Sequence, residues 1–131
     1  MSASYPTKVF LAMKSGNICA FKVCRKALTA DGINANPSVI GEAAHIYGES
    51  PGTKTKPASA RYCADMTDTQ RNHYDNLIYL CPTCHTKIDK QEKDYPAELL
   101  FALKAEHEYW VAEQLDQGMS EVSFAELEVA A

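Results

Sequence analysis

Four of the five cysteines form two close pairs, Cys19 with Cys24 and Cys81 with Cys84. Each pair can present two thiolates from one short loop, and two such loops can enclose a tetrahedral Zn²⁺ ion at Zn–S distances of about 2.3 Å. The spacing therefore predicts a structural zinc site with all four as ligands. Buried unligated thiols or a redox-active C-x-x-C pair are the alternatives, although no βαβ pattern surrounds the second pair. Cys63 lies apart from both pairs and is interpreted as a bystander.

The four histidines differ in their surroundings. His107 falls on the apolar face of a predicted helix and is expected to be packed, whereas His73 has polar neighbours and is expected to be exposed. His45 follows a short apolar strand, and His85 directly follows a predicted zinc ligand. His85 and Asp89 are four residues apart at the start of a helix, so they share a face and could bind a divalent cation.

The segments GEAAHIYG (41–48) and DNLIYLCPTCHTKID (75–89) together resemble the HNH nuclease family, which has a ββα-metal core. The His, Asn and His that name the family match His45, Asn76 and His85. The resemblance covers roughly residues 16–112 and implies an α+β fold, with a small ββα-metal core, a structural zinc site and a C-terminal helix. It also implies a metal-dependent endonuclease that hydrolyses phosphodiester bonds, with double-stranded DNA as the expected substrate.

The resemblance assigns a role to each matching residue. His45 is expected to be the general base, because a neutral imidazole can take a proton from water near neutral pH. Asn76 is expected to hydrogen-bond across the hairpin and to orient His45. His85 is expected to bind the catalytic metal, Mg²⁺ or Mn²⁺, and Asp89 to share this ligation.

One position departs from a common form of the family, in which Asp or His directly precedes the general base as a further metal ligand. Here that position is Ala44, which cannot ligate. Glu42 lies two residues earlier and is not counted as a ligand, because two strand residues span about 6.6 Å. The metal is therefore expected to be held by His85 and Asp89, with water and substrate phosphate completing its coordination.

Five basic residues near these motifs are candidates for contacts with DNA phosphates, which position a duplex without reading its sequence. An ordinary solvated charged surface is the alternative. No base-reading module is recognisable, so low sequence specificity is expected. The candidates are Arg61, Lys54, Lys56, Lys87 and Lys90.

The elements that must position these residues are short. Strands are predicted at 39–47 and 76–80, and a long polar loop at 48–60 forms part of the connection between them. Helices are predicted at 85–90 and 96–115. Thr67 or Asp68 could N-cap a helical turn, and Gly118 is expected to end the last helix. The predicted organisation is an N-terminal lead-in (1–15), a nuclease domain (16–117), and an acidic tail or start of a linker to a further region (118–131).

The chain of 131 residues has 13 Lys and Arg against 17 Asp and Glu, a formal net charge of −4. Taken alone, this charge disfavours a protein that holds nucleic acid by bulk positive charge. It divides unevenly, because residues 1–95 carry 12 Lys and Arg against 9 Asp and Glu, and residues 96–131 carry 1 against 8. The sequence thus predicts a mildly basic catalytic part followed by an acidic helix and tail.

The remaining expectations concern the cellular setting. The sequence has no run of 18 apolar residues and no signal-peptide core near its start, so a cytoplasmic protein without membrane contact is expected. The resemblance suggests an effector of a bacterial restriction or anti-phage defence system, with a sensor domain or subunit, or self-association, as its control. A non-catalytic zinc module that binds nucleic acid or protein is the first alternative, and a redox or purely structural zinc protein is the second.

Overall fold

The computed structural model describes residues 2–121, with side chains described through residue 118. In chain order the elements are helix α1 (Tyr5–Lys14), strands β1 (Thr29–Ala30), β2 (Ser38–Val39) and β3 (Glu42–His45), helix α2 (Asp68–Arg71), strand β4 (Leu77–Leu80), and helices α3 (Pro82–Lys90) and α4 (Ala97–Glu121). Short 3₁₀ turns at Tyr74–Asn76 and Glu92–Asp94 precede β4 and α4. Helices and two small sheets make this an α+β fold, as predicted.

The centre of the fold is the antiparallel pair of β3 and β4, on which α3 packs. The register places Glu42 opposite Leu80 and His45 opposite Leu77. All four residues of β4 are buried, which explains why this strand reads as a continuous apolar run. Helix α3 begins directly after β4 because Pro82 favours a first helical position and the Sγ atom of Cys81 accepts a hydrogen bond from the Cys84 N–H.

The N-terminal segment, predicted only as a lead-in, forms a helix that packs on the core. Helix α1 starts at the N-cap Ser4 with a proline in its first turn, and contacts β4 and the 3₁₀ turn before it. Only Leu11 of this helix is fully buried. The apolar residues of α1, Val9 to Met13, are consecutive and so show no helical period, which is why the sequence pattern did not indicate the helix. The predicted domain boundaries themselves stay a prediction.

Helix α4 continues past Gly118 to Glu121, so the expectation that this glycine ends the helix is wrong. Glycine inside a helix costs only about 1 kcal/mol relative to alanine, so a helix of 25 residues tolerates one near its end. The last ten residues of the predicted acidic tail, 122–131, lie outside the described residues. No helix within residues 2–121 combines the length and apolar character needed to cross a bilayer.

Helix α2 is a single capped turn, as predicted. The Thr67 side chain accepts a hydrogen bond from the Gln70 N–H, and the Gln70 side chain accepts one from the Thr67 N–H. This reciprocal capping box satisfies two backbone donors that would otherwise lack helical partners. It fixes the start of the segment 67–76, which returns the chain to β4 beside the end of β3.

Candidate active site and metal centre

The four paired cysteines meet in one cluster, in which the Sγ atoms all lie within 4.8 Å of one another. Cys24 and Cys81, one from each pair, have Sγ atoms 3.9 Å apart. A tetrahedron with Zn–S bonds of about 2.3 Å has S···S edges of about 3.8 Å, so the cluster is close to the size required. Cys63 is not a member of the cluster.

The chemistry of this cluster fits a dication. Burial raises the pKa of the Cys19 thiol to about 11 and also raises the pKa of Cys84, whereas hydrogen bonds from neighbouring cysteines lower the pKa of Cys81 despite burial, so Cys19 and Cys84 would not ionise without a cation beside them. A bound Zn²⁺ deprotonates such thiols and neutralises their charge. Backbone donors also point at sulfur, because the Cys81 N–H donates to Cys19 Sγ at 3.4 Å. The four cysteines could therefore hold a zinc ion.

The ring of His45 lies at the end of β3 with its side chain 17% exposed. Its Nε2 atom is 2.8 Å from Oδ1 of Asn72, and 3.9 Å from a carboxylate oxygen of Glu49. Sequence reasoning missed Asn72. Its position four residues before Asn76 is the sole signal that the sequence offers, and that spacing alone does not indicate a contact with a strand.

Asn76 is buried and joins the two strands beyond His45. Its Oδ1 accepts from the Tyr47 N–H and its Nδ2 donates to the Tyr47 carbonyl, both at 2.9 Å. Nδ2 also donates to the Arg71 carbonyl at 2.9 Å. The hydrogen bonds across the hairpin thus exist as expected, but they hold the backbone that follows His45, whereas Asn72 contacts the ring itself.

His85 bridges two carboxylates. Its Nδ1 is 2.8 Å from Oε1 of Glu42, and its Nε2 is 3.3 Å from Oδ2 of Asp89. The Asp89 carboxylate raises the pKa of His85, and Glu42 adds to this effect against the opposing influence of burial. Burial favours a raised pKa for Asp89, but hydrogen bonds from His85 and Arg61 outweigh it and lower that pKa.

The contact of Glu42 with His85 corrects the view that this carboxylate lies out of reach. The distance along β3 was the wrong measure, because β3 pairs with β4 so that Glu42 lies opposite Leu80, five residues before His85. Glu42 therefore reaches across to the first turn of α3. Ala44, which lacks any ligand atom, is fully buried.

Arg61 lies inside the fold with its side chain 6% exposed, so it does not present an open guanidinium to a phosphate. Its Nε donates to the Ile46 carbonyl at 2.7 Å, and Nη1 donates to the Ile88 carbonyl at 2.8 Å. Nη2 donates to Oδ1 of Asp89 at 2.8 Å. Arg61 thus ties the loop after β3 to the end of α3 and holds the Asp89 carboxylate.

The other four candidate phosphate contacts have exposed side chains. Lys54 and Lys56 lie in the long loop and Lys87 and Lys90 on α3. Lys90 borders a recess that is also lined by His85 and Asp89. As predicted, His73 is exposed and His107 is buried, the latter with Nε2 3.0 Å from the Ser15 carbonyl.

One cleft of about 240 Å³ brings the predicted reactive residues together. His45 from β3 and His85 and Asp89 from α3 line it, together with Glu49 and residues 59–60. This arrangement can combine a base with a metal site. The imidazole of His45 could act as the base, and the imidazole of His85 and the carboxylate of Asp89 could bind the metal. The hairpin, α3 and the cysteine cluster together define a ββα-metal type of domain.

A family model described as HNH endonuclease matches residues 19–92, more than half of the chain. The protein therefore belongs to the HNH endonuclease family. Membership indicates a nuclease with a nucleic acid as its substrate. A search of curated proteins returned no match to this chain.

Proposed function

We propose that this protein is a divalent-metal-dependent DNA endonuclease in which His45 is the general base. The observation that supports this proposal is the cleft shared by His45, His85 and Asp89. Phosphodiester hydrolysis needs roughly 20 kcal/mol of barrier removed, so both a base and a source of positive charge are required. The cleft offers residues for each.

His85 and Asp89 would hold the catalytic Mg²⁺ or Mn²⁺. Such an ion, when bound, polarises a phosphoryl oxygen and stabilises the leaving oxygen. The carboxylate of Glu42 accepts the Nδ1–H of His85, which leaves Nε2 directed at Asp89. A carboxylate behind a metal-binding histidine fixes the ring and makes it a better ligand. Asn76 keeps the end of β3 in place through the Tyr47 backbone.

DNA binding is assigned to exposed lysines rather than to Arg61, whose donors are used inside the fold. Lys90 borders a recess that His85 and Asp89 also line, Lys87 is exposed elsewhere on α3, and Lys54 and Lys56 lie in the loop. Lysine contacts to phosphates carry no sequence information, so low sequence specificity is part of the proposal.

Supercoiled plasmid DNA incubated with the protein and Mg²⁺, Mn²⁺ or EDTA tests the activity. We expect nicked and linear products with either metal and none with EDTA. His45→Ala should abolish cleavage while the circular dichroism spectrum and zinc content remain, and His73→Ala serves as the matched control outside the cleft. Undiminished cleavage by His45→Ala would contradict the mechanism.

The cysteine cluster is proposed to bind one structural Zn²⁺. A small core gains stability from such an ion, because metal binding contributes directly to folding. Elemental analysis of the purified protein should give one zinc per chain. A stoichiometry near zero would favour the redox alternative instead.

A non-catalytic zinc module is the second candidate. It is favoured by Ala44, which offers no ligand where one is common, and by the engagement of Asp89 with Arg61. Retained DNA binding without nicking under any metal condition would support this candidate over the nuclease.

The cellular setting follows from the low specificity that we propose. A cytoplasmic nuclease that cuts without a recognition module needs control, which suits an effector of bacterial restriction or anti-phage defence. A sensor domain, a partner subunit or self-association could supply that control. Light scattering at increasing protein concentration tests self-association, and a monomer that cleaves at full rate would contradict control by assembly.

A further inference from the structure

We infer that Asn72 is a positioning residue that holds His45 as its Nε2–H tautomer, so that Nδ1 is the nitrogen that accepts a proton. The inference rests on the proposed role of His45 as general base, and it specifies which ring nitrogen accepts the proton. It assigns this task to a residue outside the His, Asn and His motif.

The tautomer follows from the orientation of the Asn72 amide. Nδ2 of Asn72 donates to the Asp68 carbonyl at 3.0 Å, and Oδ1 is 2.8 Å from Nε2 of His45. Exchanging the two amide atoms would set Oδ1 against the Asp68 carbonyl, which is also an acceptor. The atom that faces the ring is therefore an oxygen and can only accept, so Nε2 carries the hydrogen. A neutral imidazole has one N–H, which leaves Nδ1 as the acceptor.

Asn72 is itself held rigidly. It is the C-cap of α2, where its N–H donates to the Asp68 carbonyl. The buried Arg71 beside it donates to the Cys63 carbonyl at 2.8 Å and contacts the Asp68 carboxylate at 3.2 Å. Because these contacts already fix Asn72, its side chain can orient the His45 ring without a further loss of conformational freedom.

The other groups around the ring agree with this assignment. The Glu49 carboxylate lies 3.9 Å from the same Nε2 atom, so both neighbouring oxygen groups face the nitrogen that carries hydrogen. The Arg61 guanidinium is directed at the backbone carbonyl of His45, at 3.5 Å, and not at the ring. His85 and Asp89 face His45 across the cleft.

The two asparagines thus have separate tasks. Asn76 holds the backbone of Tyr47, and Asn72 holds the ring of His45. Loss of Asn76 should disturb the end of the hairpin, whereas loss of Asn72 should leave the hairpin and release the ring. Misorientation of a catalytic group by about 1 Å can cost roughly 10²-fold in rate.

Long-range ¹H–¹⁵N correlation spectra of the full-length, zinc-loaded protein report the tautomer without any reference to cleavage. His45→Ala identifies the His45 signals. We expect Nε2–H in the wild type, its retention in Asn72→Asp, which keeps an acceptor oxygen, and a mixture of tautomers in Asn72→Leu. Nδ1–H in the wild type, or an unchanged tautomer in Asn72→Leu, would overturn the assignment.

Plasmid cleavage provides the second measurement. Asn72→Leu should lower kcat roughly 10²-fold with little change in KM, because the ring is misoriented while DNA contacts remain. Asn72→Asp should recover part of this loss, and Asn36→Leu in the exposed loop before β2 should cleave normally. If the wild type shows Nε2–H but cuts no DNA, the tautomer assignment stands and the proposed nuclease function fails. Equal kcat in Asn72→Leu and wild type would refute the positioning role.

Discussion

At the residue scale, each histidine of the cleft has a side-chain oxygen at 2.8 Å from the ring nitrogen that we assign to carry hydrogen. Asn72 contacts Nε2 of His45, and Glu42 contacts Nδ1 of His85, both at 2.8 Å. A histidine can act as a base or ligand only through a nitrogen that carries no hydrogen. The neighbours of the two rings therefore influence the chemistry as strongly as the rings themselves.

Replacement of Glu42 should weaken binding of the catalytic metal. In Glu42→Ala, the affinity for Mn²⁺ should fall roughly 10- to 100-fold, because His85 loses the carboxylate that orients it. Glu42→Gln should lie between this variant and the wild type, since an amide oxygen can still accept the Nδ1–H. Isothermal titration of Mn²⁺ into the zinc-loaded protein measures the effect.

The control for this titration is Glu98→Ala, which removes an exposed carboxylate from the start of α4. Its affinity for Mn²⁺ should equal that of the wild type. Unchanged affinity in Glu42→Ala would show that His85 does not depend on Glu42.

At the element scale, α4 docks on the junction between α1 and the first cysteine pair. The guanidinium of Arg25 lies 3.8 Å from the ring centre of Trp110. Gly16 has a φ of +63°, and a Cβ there would lie 2.9 Å from a methyl group of Val111. His107 reaches the Ser15 carbonyl beside it. Because Arg25 directly follows Cys24, its contact with Trp110 links the first cysteine pair to α4.

Removal of zinc should change the fluorescence of Trp110. This residue is the single tryptophan of the chain, and Arg25 follows directly after Cys24, one of the four proposed zinc ligands. When a chelator removes the ion, the segment that carries Arg25 should lose its fixed shape and expose the indole ring, so the emission should move to longer wavelength. Arg25→Ala should show a smaller change because the cation–π contact is already absent.

Re-addition of one equivalent of Zn²⁺ should restore the original spectrum of the wild type. Loss of zinc, verified by elemental analysis, without any change in emission would contradict the coupling between the cluster and α4.

Arg61 ties the loop after β3 to the end of α3, and its replacement should reduce stability. In Arg61→Lys, the free energy of unfolding should fall by about 2–3 kcal/mol, because an ammonium group cannot reach the carbonyls of Ile46 and Ile88 together with Asp89. Urea unfolding followed by circular dichroism measures this difference. Lys54→Arg, an exposed exchange of the same two residue types, should leave stability unchanged, and equal stability of Arg61→Lys and wild type would contradict the anchoring role.

At the scale of the whole molecule, charge is distributed unevenly along the chain. Residues 1–95 have 12 Lys and Arg against 9 Asp and Glu, while residues 96–131 have 1 against 8. Because nucleic-acid affinity depends on local positive charge, the net value of −4 does not describe the surface near the cleft. The acidic end should oppose DNA binding.

Neutralisation of this end should strengthen DNA binding. The triple variant Glu121→Gln, Glu126→Gln, Glu128→Gln should bind a DNA duplex more tightly than the wild type at low ionic strength. The difference should disappear at about 0.5 M salt, where screening extends over only a few ångströms. Fluorescence anisotropy with a labelled duplex measures both conditions, and equal affinities at low salt would show that the acidic end does not influence DNA binding.

The features that the sequence predicted correctly depend on local spacing. The two cysteine pairs, the capped turn at Thr67, the apolar run of β4 and the family motif are each readable within a few residues. The burial of His107 follows from helical periodicity in the same way. Local geometry fixes such features, because caps, cysteine pairs and helix faces depend on neighbours one to five residues away.

Contacts between distant parts of the chain were decided only by the tertiary structure. His45 meets Asn72 across 27 residues, Arg61 meets Asp89 across 28, and His85 meets Glu42 across 43. These contacts depend on the register of β3 against β4 and on the path of the loop between them. No local pattern encodes that register, which is set by burial of all of β4 and of Ala44 in β3. The sequence alone thus determined the family and predicted the reactive residues, and the packing of hairpin and helix determined which side chains contact them.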